Sequence, residues 1–131
     1  MTKEEVIITA SMWWADKLRK RQPHNNGDHS KSSIIACMLA DLGTKNVTEE
    51  QYKVFEHELA VGIEKEYDEY VVKHNFQCIY IGCDYDPCYI LAEAANKAGI
   101  STLNFPFKTH MSITKNKVLV ADGYGKPYVS I

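Results

Sequence analysis

Arginine is scarce in this chain: Arg19 and Arg21 are the only two, and the remaining basic side chains are lysines. Sequence-specific DNA readout leans on the bidentate guanidinium, and the formal net charge is -2, so nucleic acid is not an expected partner. No apolar run approaches the ~18 residues that a membrane span needs. The opening Met1-Thr2-Lys3-Glu4-Glu5 lacks the basic flank and apolar stretch of a secretory signal, which makes a cytoplasmic location and no membrane partner the expectation. Neither Gly-x-Gly-x-x-Gly nor a P-loop occurs, which excludes nucleotide binding by a standard motif, and no cofactor is expected. Internal repeats, low-complexity tracts and linkers are also missing, so residues 1–131 read as one domain.

Four cysteines are present, but none lie two residues apart as in zinc knuckles. A chain of 131 residues with 45% hydrophobic content builds its own core, so the expectation is reduced thiols rather than disulfide staples. Cys78, Cys83 and Cys88 recur at every fifth position, and His24 and His29 share a loop. Strand parity points Cys78 and Cys83 to opposite faces, so no metal site is expected.

Four helices are legible. Thr2 and Glu5 form a capping box before the helically spaced Val6, Ile7, Ala10, Trp13, Trp14 and Leu18, although Val6-Ile7-Ile8 also reads as a short strand leading into a later helix. Trp13 and Trp14 cannot both face inward from one helix. A second helix, capped by Asp28 or Ser30, carries the stripe Ile34, Ile35, Met38, Leu39 and Leu42 and closes at Gly43. A third has a capping box at Thr48 and Gln51, an inward stripe of Tyr52, Phe55, Leu59, Ile63, Tyr67 and Tyr70, and a stop at Asn75. Thr44 to Asn75 holds eight acidic residues against four lysines, so this helix should present an acidic face. Asp86-Pro87 opens the fourth helix in a cap-then-proline arrangement, and Gly99 ends it.

The remaining segments read as strands. Phe76 to Cys83 alternates apolar residues on both sides, which predicts a strand covered on both faces. Further strands are predicted at Thr102 to Phe107, His110 to Thr114, Val118 to Asp122 and Tyr128 to Ile131, with a hairpin turn at Lys115-Asn116-Lys117. The order gives an α+β fold: about three N-terminal helices, then a small mixed sheet of four to five strands with one crossover helix.

Chemistry concentrates around Cys83-Asp84-Tyr85-Asp86-Pro87-Cys88. Cys88 falls in the opening turn of the fourth helix, where unpaired N–H groups favour a thiolate. His110 precedes one strand and Asp122 ends the next, so Cys88, His110 and Asp122 are candidate catalytic residues of a papain-like thiol hydrolase. The same strand-turn-helix can form a ligand pocket at a strand's carboxyl end. Asp84 and Asp86 disfavour a bare phosphate there and suit a ribose hydroxyl, a cation or a basic protein surface. The loops His24 to Ser30 and Asp122 to Pro127 add polar candidates, and with Phe105, Phe107, Lys108, Tyr124 and Tyr128 they outline a recognition surface. The candidate binding residues are Asn26, Asp28, Asp84, Tyr85, Asp86, Lys108, Tyr124 and Lys126.

Two resemblances bear on function. The run from His110 to Asp122 resembles the histidine-bearing hairpin of NlpC-type cell-wall peptidases over about 20 residues, but Asp86-Pro87-Cys88-Tyr89 replaces that family's Asp-Cys-Ser/Gly-Gly nucleophile sequence. Trp14-Ala15-Asp16-Lys17-Leu18-Arg19, Asn26-Gly27-Asp28, Asp84-Tyr85-Asp86-Pro87, Phe105-Pro106-Phe107-Lys108-Thr109 and Gly123-Tyr124-Gly125-Lys126-Pro127 together resemble small uncharacterised proteins of phages and gut bacteria. That resemblance implies a phage accessory role, including interference with host defence. The leading expectation is therefore a non-catalytic binding protein that engages a host protein or small-molecule ligand. The thiol hydrolase and a structural or assembly component are the alternatives.

Overall fold

The computed structural model describes residues 1–20, 35 and 47–131. The second predicted helix, Ile35 apart, lies outside these residues, as do Asn26, Asp28, His24, His29 and Cys37.

Helix α1 spans Lys3–Arg19, and its capping box is reciprocal: Glu5 N donates to Thr2 Oγ1 at 3.2 Å and Thr2 N donates to Glu5 Oε1 at 3.3 Å. The helix therefore includes Val6, Ile7 and Ile8, and the strand alternative is not realised. Helix α2 spans Glu49–Glu66, with the predicted box at Thr48 and Gln51, and continues as a π-helical segment Tyr67–Lys73. The predicted stripe holds through Phe55, Leu59, Ile63 and Tyr67 and then fails, because Val71 is buried while Tyr70 is 38% exposed. The wider i→i+5 turn rotates each later residue back around the axis, which brings Val71 in and turns Tyr70 out. Asn75 then stops the chain in the left-handed region at φ 57°.

Strand β1 covers Cys78–Cys83, and helix α3 covers Tyr89–Ala98. Gly99 ends α3 at φ 70°, as the sequence predicts, but Asp86 does not cap it. Cys88 is the N-cap, because Pro87 still bridges Cys83 and Cys88 N still donates to Gly82 O at 2.9 Å. The chain thus stays extended two residues further than the cap-then-proline pattern implies.

The predicted strand Thr102 to Phe107 is not formed. Ser101 accepts from Leu103 N at 3.2 Å and Asn104 Nδ2 donates to Ser101 O at 2.9 Å, so local side-chain bonds wind Thr102–Asn104 into a 3-10 turn. That turn drives Phe105 into the core, 6.1 Å from Trp14 and 5.8 Å from Phe55 by ring centroid. Trp14 is fully buried, whereas Trp13 is half-buried and stands edge-on to it at 5.1 Å.

Strands β2 (Thr109–Thr114), β3 (Val118–Asp122) and β4 (Val129–Ser130) complete a sheet of order β1-β2-β3-β4. The α+β class is as expected, with the described helices mostly N-terminal to the sheet. The expected mixed sheet is instead antiparallel in every pairing of the described strands. The reason lies in the link between β1 and β2: α3 runs out about 15 Å and the segment after it returns, so β2 begins at Thr109, opposite the end of β1 at Cys83. The β2–β3 turn falls where predicted, with Thr114 N donating to Lys117 O at 2.9 Å.

Ile79, Ile81, Cys83, Met111, Ile113, Val118 and Val120 form the inner face, packed with α1, α2 and α3 in one core. The opposite face of β1 is open, with Tyr80 71% exposed, so the strand is not covered on both faces. Of the residues that suggested a cover on that side, Phe76 and Tyr80 are both exposed, and Tyr80 carries a polar hydroxyl that suits it to water.

Candidate functional site

Because β1 ends, β2 begins and β3 ends at the same edge of the sheet, the segments 84–88, 107–108 and 123–128 gather there. On the outer face this end holds an open cleft of about 420 Å³ lined by Tyr80, Gly82, Asp84, Asp86, Cys88, His110 and Tyr128 with backbone from Ile81 nearby. Register explains the convergence. Gly82 pairs with His110 and His110 with Ala121, which places all three outward, while Tyr80 pairs with Ser112 in the next outward row.

Gly82 permits the site's closest approach. A Cβ on it would lie 2.5 Å from His110 Cδ2, so the missing side chain lets the imidazole lie across β1. Placed there, His110 Nε2 is 3.1 Å from Asp84 Oδ1. Lys108 Nζ approaches the same oxygen at 3.6 Å and lies 4.8 Å from the centroid of the Tyr85 ring. Tyr85 meets Phe107 edge-on at 5.1 Å. The backbone fixes this group from both sides: Lys108 N donates to Asp84 O at 2.8 Å, and Lys108 itself is held at φ 54°, an uncommon conformation for a lysine.

The thiols divide by face. Cys83 is fully buried, and burial first, then the Asp86, Cys88 and Asp84 charges nearby, push its pKa up to about 12. Cys78 lies on the outer side, where it hydrogen-bonds Tyr80. That bond is the main reason the Tyr80 phenol is raised above its ordinary range, with nearby Tyr128 adding to it. Cys88 is half-buried at the cleft wall. All three are free thiols. Among the described residues no three of His, Cys, Asp and Glu converge closely enough to hold a metal ion.

The predicted catalytic set does not assemble as drawn. Cys88 and His110 share the cleft, but Asp122 pairs with Thr109 on the helix-facing side and forms an ion pair with Lys17 of α1. One residue of strand parity separates Ala121, which neighbours His110, from Asp122 on the far face. The carboxylate at the imidazole is Asp84.

Of the predicted binding residues, Asp84, Tyr85, Asp86 and Lys108 meet at or beside the cleft. Tyr124 and Lys126 stand exposed on the β3–β4 loop at the same end of the sheet but do not line it. Phe105 is buried and belongs to the core rather than to a recognition surface. Tyr80 and Gly82 were missed as site residues, although a glycine inside a strand two residues from an aromatic is a readable sign of close backbone approach. Compared with protein-family models and with curated proteins, the chain matches none. What the fold and site define is an α+β domain with an open, tyrosine-walled and carboxylate-edged cleft at one end of an antiparallel sheet.

Proposed function

We propose that this protein is a non-catalytic binding protein whose cleft, with the loops beside it, engages a host protein or a small ligand. The observation that carries this reading is the convergence of Asp84, Tyr85, Asp86, Lys108, His110, Tyr80 and Tyr128 at one open end of the sheet. A phage accessory or anti-defence setting is supported by the resemblance to small phage and gut-bacterial proteins, and it makes a bacterial lysate the place to look. The test compares wild type, an Asp86→Lys/Tyr128→Ala variant and a control, Val72→Ser, at a site 63% exposed on the π-helical segment. Proteins captured by wild type and control should be lost with the cleft variant, and ligands that raise the melting temperature should lose that effect. Identical capture and identical shifts by all three proteins would overturn the reading.

A second reading has one observation in its favour: Cys88 shares the cleft with an imidazole already held by a carboxylate. In that thiol hydrolase, Asp84 replaces Asp122. Against it, His110 Nε2 is held by Asp84, and among the described residues no hydrogen bond joins Cys88 to the imidazole. Iodoacetamide labelling across pH decides between the two. Titration of Cys88 at or above about 8.5 removes the hydrolase, whereas a lower value that rises in His110→Ala favours it.

A further inference from the structure

We infer that the ligand of the cleft is an organic cation, a guanidinium or alkylammonium group received between Tyr80 and Tyr128; this rests on the binding reading above. The residues lining the cleft include two carboxylates, Asp84 and Asp86, and neither lysine nor arginine. Asp84 is already engaged by His110 and Lys108, but Asp86 is exposed and has no ion-pair partner among the described residues. Lys108, beside the cleft, has its charge turned to Asp84 and the Tyr85 ring. An arriving cation therefore meets a carboxylate that no described residue neutralises.

The walls favour the same chemistry. Tyr80 and Tyr128 are 71% and 48% exposed, and both line the cleft from the outer face. An aromatic face attracts a cation through its quadrupole, and two rings beside a carboxylate are the recurring means of holding guanidinium and ammonium groups. The volume, about 420 Å³, lies low in the range of ~300–1,000 Å³ that small-ligand sites occupy, which suits one side chain or a small amine. A phosphate or carboxylate ligand would face the like charge of Asp86. A bare metal ion would lack a third ligand among the described residues.

Such a cation has two sources, a lysine or arginine side chain on a partner protein or a free amine. Both are reached by titrating the isotopically labelled full chain and following amide resonances of residues 80–88, 108–110 and 128. The probes are Nα-acetyl-arginine methylamide, Nα-acetyl-lysine methylamide, choline and the neutral Nα-acetyl-citrulline methylamide. The cations should move these resonances, and the citrulline derivative should bind at least about tenfold more weakly, since a charged hydrogen bond is worth ~1.5–3 kcal/mol. Asp86→Asn and, separately, Tyr128→Leu should each weaken the cations by about tenfold while the spectrum of the remaining residues stays in place. Tighter binding of the amino-acid derivatives identifies a protein-borne side chain, and tighter choline binding identifies a free amine. Equal affinity for citrulline and arginine derivatives, or no response to any cation, overturns the inference. If lysate capture still depends on the cleft in that case, the binding reading stands without it, whereas capture indifferent to the cleft removes the binding reading itself.

Discussion

Gly82 shows how much of the site depends on a single missing atom. Adding a Cβ places it 2.5 Å from His110 Cδ2, and because the atom met belongs to a rotatable ring, the ring should swing away rather than the sheet break. Gly82→Ala is therefore expected to leave the fold intact and to abolish the approach of His110 Nε2 to Asp84. Histidine ring resonances, compared with those of Asp84→Asn, should shift in the same direction in both variants. Cys83 makes a second test on the opposite face. Its folded pKa of about 12 exceeds the ~8.5 of an unfolded thiol, so both states are protonated below that value and the full stability is present there. As pH rises from about 8.5 toward 12 the unfolded chain ionises first and stability falls. Wild type should lose roughly 3 kcal/mol more than Cys83→Ala between pH 8 and 11. Urea unfolding across that range measures the difference, and parallel curves would deny the shift. The glycine hinted at a close approach without naming its partner, and the Cys83 shift follows from burial on the helix-facing side of β1, which local sequence does not fix. Only once β2 is known to pair Gly82 with His110 does the glycine acquire a role.

At the scale of elements, the start of α2 carries more than a cap. Gln51 Oε1 accepts from Thr48 N at 2.9 Å, while Gln51 Nε2 donates to Ala98 O at 3.2 Å and Gly99 O at 3.0 Å. One amide thus closes the capping box of α2 and satisfies carbonyls at the end of α3. Thr48→Ala should cost about 1 kcal/mol, the ordinary value of a lost N-cap. Gln51→Glu keeps the acceptor but loses both donors and sets a carboxylate against two carbonyls, so it should cost more than Thr48→Ala when urea midpoints are compared. A Gln51→Glu variant as stable as wild type would show that α2 and α3 are not tied there. The caps themselves were legible in sequence, since Thr2, Thr48, Asn75 and Gly99 act through neighbours within a few residues. What escaped was a change of helical pitch, a local network that outweighs strand patterning, and the path of the chain between two strands. The π-helical turn moved Tyr70 outward, a local Ser101 and Asn104 network replaced a strand, and a returning link made β2 antiparallel to β1.

At the scale of the molecule, the described residues divide by face between the core and the proposed binding cleft. Inward lie Trp14, Phe55, Phe105, Met111 and Ile113, each less than 2% exposed, together with the Lys17–Asp122 pair that ties α1 to β3. Outward lie Tyr80, His110 and Tyr128, with Asp84 and Asp86 beside them. Asp84, Asp86, Cys88 and His110 were legible one by one, but Tyr80 and Gly82 were missed and the grouping was not legible, because one step along a strand decides the face and the ends of three strands had to be brought together. Asp122 is the instructive case: it stands next to Ala121, the neighbour of His110, yet it faces the helices. Phe105→Ala empties the space between Trp14 and Phe55 and should cost about 3–5 kcal/mol, a large share of the ~5–15 kcal/mol that holds a domain folded. Asp122→Asn removes a partly exposed ion pair and should cost less than about 1 kcal/mol without altering the cleft. Tyr128→Leu should change stability by no more than about 0.5 kcal/mol, because Tyr128 is exposed and lies outside the core. Urea unfolding of the three variants beside cation titration gives a two-way test. Loss of binding in Asp122→Asn, or a Tyr128→Leu variant as unstable as Phe105→Ala, would mean that the two faces are not independent and that the cleft is part of what keeps the domain folded.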